Sequence, residues 1–451
     1  MSGFIFMIFV VSEIAYAAYS IVTGSTHKIA KAYIRLTAFA VFLILCISGI
    51  LQWGLRWYMV GTGLLFLAVK GLYVLIVRKA KPKHFSKKNI ILKALFMSLF
   101  YGVLLVPPFL FPQYKAIQPT GKLNTATAWF TYTSKNVTDP FTGGPRQVNV
   151  GFWYPENGEG KYPLVVFSHG AFGIRDSNIS AYEELASHGY VVCSIDHPGH
   201  SFYTESVDGE RVFVNKPYLN EVVNANKESY YTKAEVYKLI QKWMKVRTED
   251  MNLTIDTILG YASKGDTVKV PPEQQDAAKK LYQSIDTDKI GVFGHSMGAA
   301  ASVQIGRERN DVDAVINLDG PYFSEMTYDG TLDEFVPLGK PYNLPILNIY
   351  SDQVWVQLKD GTGTGTYAGN KISSQIAEKS YNVYLKGTKH LTLTDLAIVS
   401  PFLTYMLNGE SSNVDARKCI ELENSLILGF FDEVLKGKGS FSPKEVYTIG
   451  S

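Results

Sequence analysis

The chain of 451 residues is 46% apolar and 13% aromatic, enough for a large core and more than one domain. Charge divides it: up to Lys122, fourteen lysines and arginines face a single acid, Glu13, so this part carries +13 and the remainder −10, which excludes one uniform soluble domain. Three cysteines are few for this length, and no Cys and His spacing of the kind that holds zinc occurs.

Four long apolar runs, Phe4 to Val22, Leu36 to Trp53, Tyr58 to Val77 and Ile90 to Phe111, alternate with basic connections. Each is about as long as the roughly 20 residues a helix needs to cross a bilayer. Soluble core helices seldom repeat that pattern, so residues 1–114 read as an all-α membrane region of about four transmembrane helices. The first run lacks a basic start and a small-residue cleavage site, which argues against a removed signal peptide. Glu13 stands at its mid-depth, where a lone carboxylate is costly. Short loops rich in Lys and Arg stay on the cytoplasmic side. The connection Arg78 to Lys88 holds six such residues and His27 to Arg35 three, whereas the one near Arg56 is poor in charge. The chain is therefore expected to be an integral protein of the cell membrane that leaves its fourth helix on the outer face, with residues beyond about 115 extracytoplasmic.

Residues 115–147 read as a linker with the first strands, and 148–451 as one α/β domain. "VNVGFWYP" and "YPLVVFSHG" are strands, the second apolar enough to be buried on both faces. "ISAYEELASHG" is a helix, "YVVCSIDH" and "KIGVFGHS" are strands, and "VDAVINLDG", "LPILNIYSD" and "YNVYLKGTKH" follow the same rule. The alternation implies a doubly wound, mostly parallel sheet whose reactive groups gather at the carboxyl ends of the strands. A helical insertion spans about 202–288; its Val236, Leu239, Ile240, Trp243 and Met244 recur at helical spacing as one packing stripe. Cys193 lies inside an apolar strand and reads as a buried free thiol, with Cys419 the one possible partner on its side of the membrane. The tract Lys359 to Gly369 lacks the ending of a phosphate loop and reads as a surface loop.

In "GHSMG", Gly294 and Gly298 flank Ser296 between a strand and a helix, as a nucleophile elbow requires. A serine hydroxyl is a poor nucleophile and needs a base and a group to orient that base. His390 is the one histidine after Ser296. His27 and His84 fall in basic loops, His188 caps a helix, and His295 is expected to point away from the nucleophile. His197 and His200 lack a third metal ligand and read as packing residues. For the acid, Asp319 and Asp352 both end strands between Ser296 and His390, and spacing leaves the choice open. The amides of Met297 and of Ala171, in the glycine-rich "SHGAFG", are candidates for donors to a developing oxyanion.

The segments "VVFSHGAFG", "YEELASHGYVVCSIDHPGHS", "SIDTDKIGVFGHSMGAA", "AVINLDGPYF", "LPILNIYSD" and "KGTKHLTLTDL" resemble, in order, those of the plasma and type II platelet-activating factor acetylhydrolases, a family of α/β-hydrolases. The likeness covers roughly Asn149 to Leu396 and does not extend to the membrane region. It implies Ser296 as nucleophile, His390 as base, Asp319 as acid with Asp352 the alternative, and oxyanion donors at Ala171 and Met297. Ala299 stands where the family usually has a second glycine, and "DHPGHS" departs from its pattern, so substrate contacts do not carry over. The resulting expectation is a membrane-anchored serine carboxylic-ester hydrolase acting on amphiphilic, lipid or short-acyl esters. No metal, organic cofactor or nucleic-acid partner is expected. The rival readings are a non-catalytic membrane receptor or scaffold on a hydrolase fold, and a peptidase or acyltransferase with the same triad.

Overall fold

Apolar runs without an interior proline wind into the long helices α1 (Ser2–Val22), α2 (Lys28–Ile47), α3 (Leu55–Val77) and α4 (Lys87–Leu104), the last followed by the turn Val106–Leu110. The computed structural model describes residues 2–77, 85–156, 160–264, 270, 275–359 and 364–450. The chain falls into two units, Met1–Lys115 with Ile398–Leu403, and Ala116–Ala397 with Thr404–Ser451.

In the helical unit, α1, α2 and α3 are long and apolar enough to cross a membrane. α4 carries three lysines in its 18 residues and does not match them, so three rather than four of the expected spans have that character. The second begins at Lys28 instead of Leu36. Lys and Arg favour helix, so most of the basic stretch His27 to Arg35 joins α2, which ends before Gly49 at φ 75°. Most of the basic connection Arg78 to Lys88, residues 78–84, lies outside the described residues, as does His84. Glu13 is not alone: it is buried and ion-paired with Lys31 of α2 at 2.7 Å. Trp57, Val60, Leu64 and Leu67 of α3 pack with Phe42 of α2 and with Met97, Tyr101 and Leu104 of α4. Ile8, Val11, Ile44, Phe66, Val69, Leu72 and Ile76 point outward and exposed.

The second unit is built on nine strands: β1 (Thr125–Thr138), β2 (Pro145–Pro155), β3 (Tyr162–Ser168), β4 (Val191–Asp196), β5 (Ile285–His295), β6 (Ala314–Leu318), β7 (Ile346–Tyr350), β8 (Ser380–Lys386) and β9 (Val446–Thr448). Their order is β1-β2-β4-β3-β5-β6-β7-β8-β9. β2 runs antiparallel to β1 and β4, and every other pairing is parallel. Helices cover both faces: α5 (Ile179–Ser187) and α8 (Ala416–Lys436) on one, α6 (Lys233–Lys264) and α7 (Met297–Glu308) on the other. Alternation of side chains along a strand explains the unbroken apolar run in β3. Leu164 and Val166 enter the core beneath α6 and α7, and Val165 and Phe167 enter the core beneath α5 and α8. Between β4 and β5 the chain adds the hairpin Tyr203–Glu205 with Arg211–Phe213, the helix Lys216–Ala225, and α6. On α6, Ile240, Trp243 and Met244 are buried in the core, with Val236 and Leu239 beside them. Cys193 and Cys419 are buried free thiols. In the Gly/Thr tract after Lys359, residues 360–363 lie outside the described residues.

Candidate active site

The parallel strands end at one edge of the sheet, and their register sets the turns there side by side. Ser168 stands opposite Gly294, and His295 opposite Leu318. Ser296 N–H donates to Leu318 O at 2.8 Å, and Asp319 N–H to Ile349 O at 2.9 Å. Ser296 has φ 56° and ψ −121°, a conformation that side-chain-bearing residues seldom adopt. Phe172 (φ 59°) and Asp319 (φ 57°) share the sign, so three of the five positive-φ residues other than glycine among the described residues meet at this edge. Such strain persists only where the surroundings hold it, and it gathers at functional sites.

Close packing makes the turn possible only with glycine. A Cβ on Gly298 would stand 1.9 Å from Ser168 O, and one on Gly320 2.4 Å from Ser296 O. Gly298→Ala is therefore expected to cost about 3 kcal/mol through overpacking and to lower the melting temperature by several degrees. A variant that melts with the wild type would show that the turn relaxes around a methyl group.

Asp319 is wholly buried. Its Oδ1 accepts from Ser351 N–H, and its Oδ2 from Ser351 Oγ and from His390 Nδ1, each at 2.7 Å. The His390 side chain is 30% exposed and Ser296 is half-buried, so the acid is sealed while hydroxyl and imidazole face solvent. Asp352 is engaged elsewhere: it accepts from Tyr384 OH and Gly387 N–H at 2.7 Å and faces Lys389 Nζ at 3.8 Å, bracing the loop that leads to His390. His295, expected to point away from Ser296, packs against His390. The two rings are 4.5 Å apart, and His295 Nε2 donates to His390 O at 3.0 Å. Burial, with His390 beside it, pushes His295 well below the ordinary histidine range, so this ring is neutral.

Ala171 follows β3 in the turn over Ser296, and Met297 opens α7. Neither backbone N–H has a hydrogen-bond acceptor among the described residues. The turn lies close: a Cβ on Gly170 would be 3.2 Å from Ser296 Cβ and 3.0 Å from His295 Nδ1. A hydroxyl, an imidazole held by a carboxylate and two free amides thus share one strand edge. Such a set can attack a carbonyl, move the proton and receive the negative charge.

The profile of the family described as platelet-activating factor acetylhydrolase, isoform II, matches residues 147–446, about two thirds of the chain. The chain belongs to this family. Among curated relatives, the platelet-activating factor acetylhydrolase of Canis lupus familiaris is 31% identical over 280 residues, 61% of this chain and 57% of that protein. Its counterpart in Gallus gallus is 26% identical over 297 residues, 62% and 64% of the two chains. The chain thus spans about three fifths of the length of the curated relatives it matches. A solved structure of ferulic acid esterase from Streptomyces cinnamoneus shares the fold, with a TM-score of 0.51 at 20% identity over 71% of this chain and 93% of that one.

In this acetylhydrolase-family chain a buried polar network lies behind the turn after β3, and sequence reasoning missed most of it. Arg146 grips Asp250 with two nitrogens at 2.8 and 2.7 Å and reaches Asp139 at 2.6 Å. His197 Nδ1 donates to Asp250 Oδ2 at 2.9 Å and its Nε2 accepts from Ser168 Oγ at 2.9 Å, so both ring nitrogens are committed. Burial, then the charge of Arg247, pushes His169, His197 and His200 well below the ordinary range, and Arg146 adds to this at His197 and His200. Arg247 enters this network from α6. Its signal was spacing: it falls four residues after Trp243 and four before Met251, on the stripe that is otherwise apolar. His200 stacks on Tyr218 at 3.7 Å, and the Tyr218 hydroxyl reaches Met297 Sδ at 3.3 Å. Both also line, with Phe141 and Trp243, a cavity of about 540 Å³ that Ser296 and His390 do not touch.

Proposed function

We propose that this chain is a membrane-anchored serine ester hydrolase for amphiphilic esters of the lipid or short-acyl kind, with its catalytic unit on the extracytoplasmic face. The observation that carries the catalytic part is the 2.7 Å contact between His390 Nδ1 and buried Asp319, set at the strand edge that bears the Ser296 elbow. Ser296 Oγ attacks the ester carbonyl while His390 Nε2 takes its proton, and the amides of Ala171 and Met297 receive the oxyanion. As the tetrahedral intermediate collapses, His390 returns the proton to the departing alcohol. It then draws a proton from water, which attacks the acyl-enzyme and frees the acid and Ser296. Asp319 fixes the imidazole with Nδ1 as donor and stabilises its cationic form. Membership of the acetylhydrolase family and the names of its curated relatives support a lipid ester as substrate.

The membrane part rests on the three long apolar helices and on the apolar side chains they hold outward, which a bilayer would cover. For the outer placement of the catalytic unit, α4 with Val106–Leu110 supplies a fourth crossing. Lys87 and Lys88 sit at its first two positions, at the end of the basic connection, and Lys93 is near enough to that end to snorkel. A fluorophosphonate probe tests both parts. In detergent the purified full chain should be labelled and should hydrolyse p-nitrophenyl esters, fastest for short acyl groups. A membrane-impermeant form should label it on intact cells. An unlabelled, inactive protein would refute the hydrolase; labelling only after the cells are opened would reverse the orientation.

A further inference from the structure

We infer that Arg247 is the positioning residue of the oxyanion hole: from behind the turn after β3 its guanidinium holds the Gly170 carbonyl, and so aims Ala171 N–H at the carbonyl oxygen of a bound ester. The inference rests on the serine-hydrolase reading and names a group that the triad does not include.

The described residues contain no cis peptide. In a planar trans peptide the C=O of one residue and the N–H of the next point in opposite directions, so a partner that fixes Gly170 O also fixes Ala171 N–H. Gly170 O accepts from Arg247 Nη2 at 3.1 Å, from His169 Nδ1 at 2.7 Å and, within the turn, from Gly173 N–H at 3.1 Å, and His169 O accepts from Arg247 Nη1 at 2.7 Å. The tautomer of His169 follows from its partners: Gly170 O can only accept, so Nδ1 carries the proton, and in the neutral ring Nε2 accepts from Ser201 Oγ, which itself accepts from the backbone N–H of His197. Two consecutive carbonyls are thereby tied to one rigid, planar fork, which lysine cannot reproduce. On the other side the turn presses against Ser296, and Ala171 N–H has no acceptor among the described residues. Phe172, next in the chain, is held at φ 59°, a shape that needs bracing.

Charge adds a second reason. Arg247 is fully buried, and the groups it touches are neutral: the two carbonyls, the His169 ring at 3.5 Å, His200 Nδ1 at 3.2 Å, and Tyr218. The carboxylate whose charge acts on it, Asp250, is already held by Arg146 and His197. An arginine stays protonated in such a place, and a buried cation without a carboxylate of its own is costly. Here one peptide unit separates it from the position where the tetrahedral intermediate becomes negative. A cation that polarises Gly170 C=O strengthens Ala171 N–H as a donor at that position. Through Tyr218, whose hydroxyl touches Met297 Sδ, the same guanidinium also supports the residue that carries the second amide.

The test uses the full chain in detergent with Arg247→Met and Arg247→Lys. It measures kcat and KM on a short-acyl p-nitrophenyl ester, affinity for a trifluoromethyl ketone that forms an oxyanion adduct on the serine, and thermal melting. Losing one oxyanion donor costs roughly 10²–10³-fold in kcat. Arg247→Met should lose that much with KM within about 2-fold, and ketone affinity should fall in parallel with kcat/KM. Arg247→Lys should fold and lie between the two. Wild-type kcat and ketone affinity in either folded variant would overturn the inference, as would losses that only track the folded fraction. Should Arg247→Met not fold, Arg247→Lys decides alone, by whether kcat and ketone affinity fall together. A wild type that neither hydrolyses esters nor binds the ketone would instead overturn the hydrolase reading itself.

Discussion

Ser296→Ala should remove ester hydrolysis, with kcat reduced by about 10⁴-fold or more, and should abolish labelling by a fluorophosphonate. The size of the loss follows from the role proposed for Ser296, whose oxygen makes the attack: the elbow sets residue 296 beside the turn after β3. Stability should be nearly unchanged, because alanine suffers the same positive φ as serine and loses only one half-exposed oxygen. Melting curves that coincide while turnover disappears would separate chemistry from folding. Labelling that persists on another residue of the variant would end the assignment of Ser296.

Asp319→Asn should cost about 10⁴-fold in kcat, and Asp352→Asn no more than about 10-fold. At position 319 the partners dictate how an amide would turn. Ser351 N–H is a donor, so the asparagine oxygen takes the place of Oδ1, and the NH₂ group takes the place of Oδ2, facing His390 Nδ1. That nitrogen must then accept, the proton moves to Nε2, and the imidazole can no longer take a proton from Ser296. Asp352 contacts Tyr384, Gly387 and Lys389, so its loss loosens the loop before His390 and lowers the melting temperature without changing the tautomer. Kinetics of the two variants on one ester, with melting curves beside them, check this. A crippled Asp352→Asn beside a competent Asp319→Asn would reverse the roles.

The two carboxylates also mark where one-dimensional reading stops. Both end adjacent parallel strands, so spacing treats them alike. The difference is a side-chain direction: Asp319 lies at the end of β6 with φ 57° and turns in to His390, and Asp352 turns toward the backbone of the neighbouring loop. Likewise Glu13 looks like an uncompensated charge within an apolar run until α2 brings Lys31 against it. The insertion shows both sides at once. Its apolar stripe was legible at helical spacing, but an arginine on that stripe becomes meaningful only when α6 is laid behind the turn after β3.

Features that depend on neighbours along the chain are legible in the sequence alone. These are apolar runs of membrane-crossing length, the alternation of buried strands with helices, and a serine flanked by glycines at a strand-to-helix turn. Periodicity and local sterics act within a few residues, and a linear string records them. Which carboxylate meets His390, what neutralises Glu13 and what holds the turn over Ser296 emerge only once the chain is folded. Those contacts join residues 71, 18 and 78 positions apart. They are set by strand register and helix packing, to which distant parts of the chain contribute together.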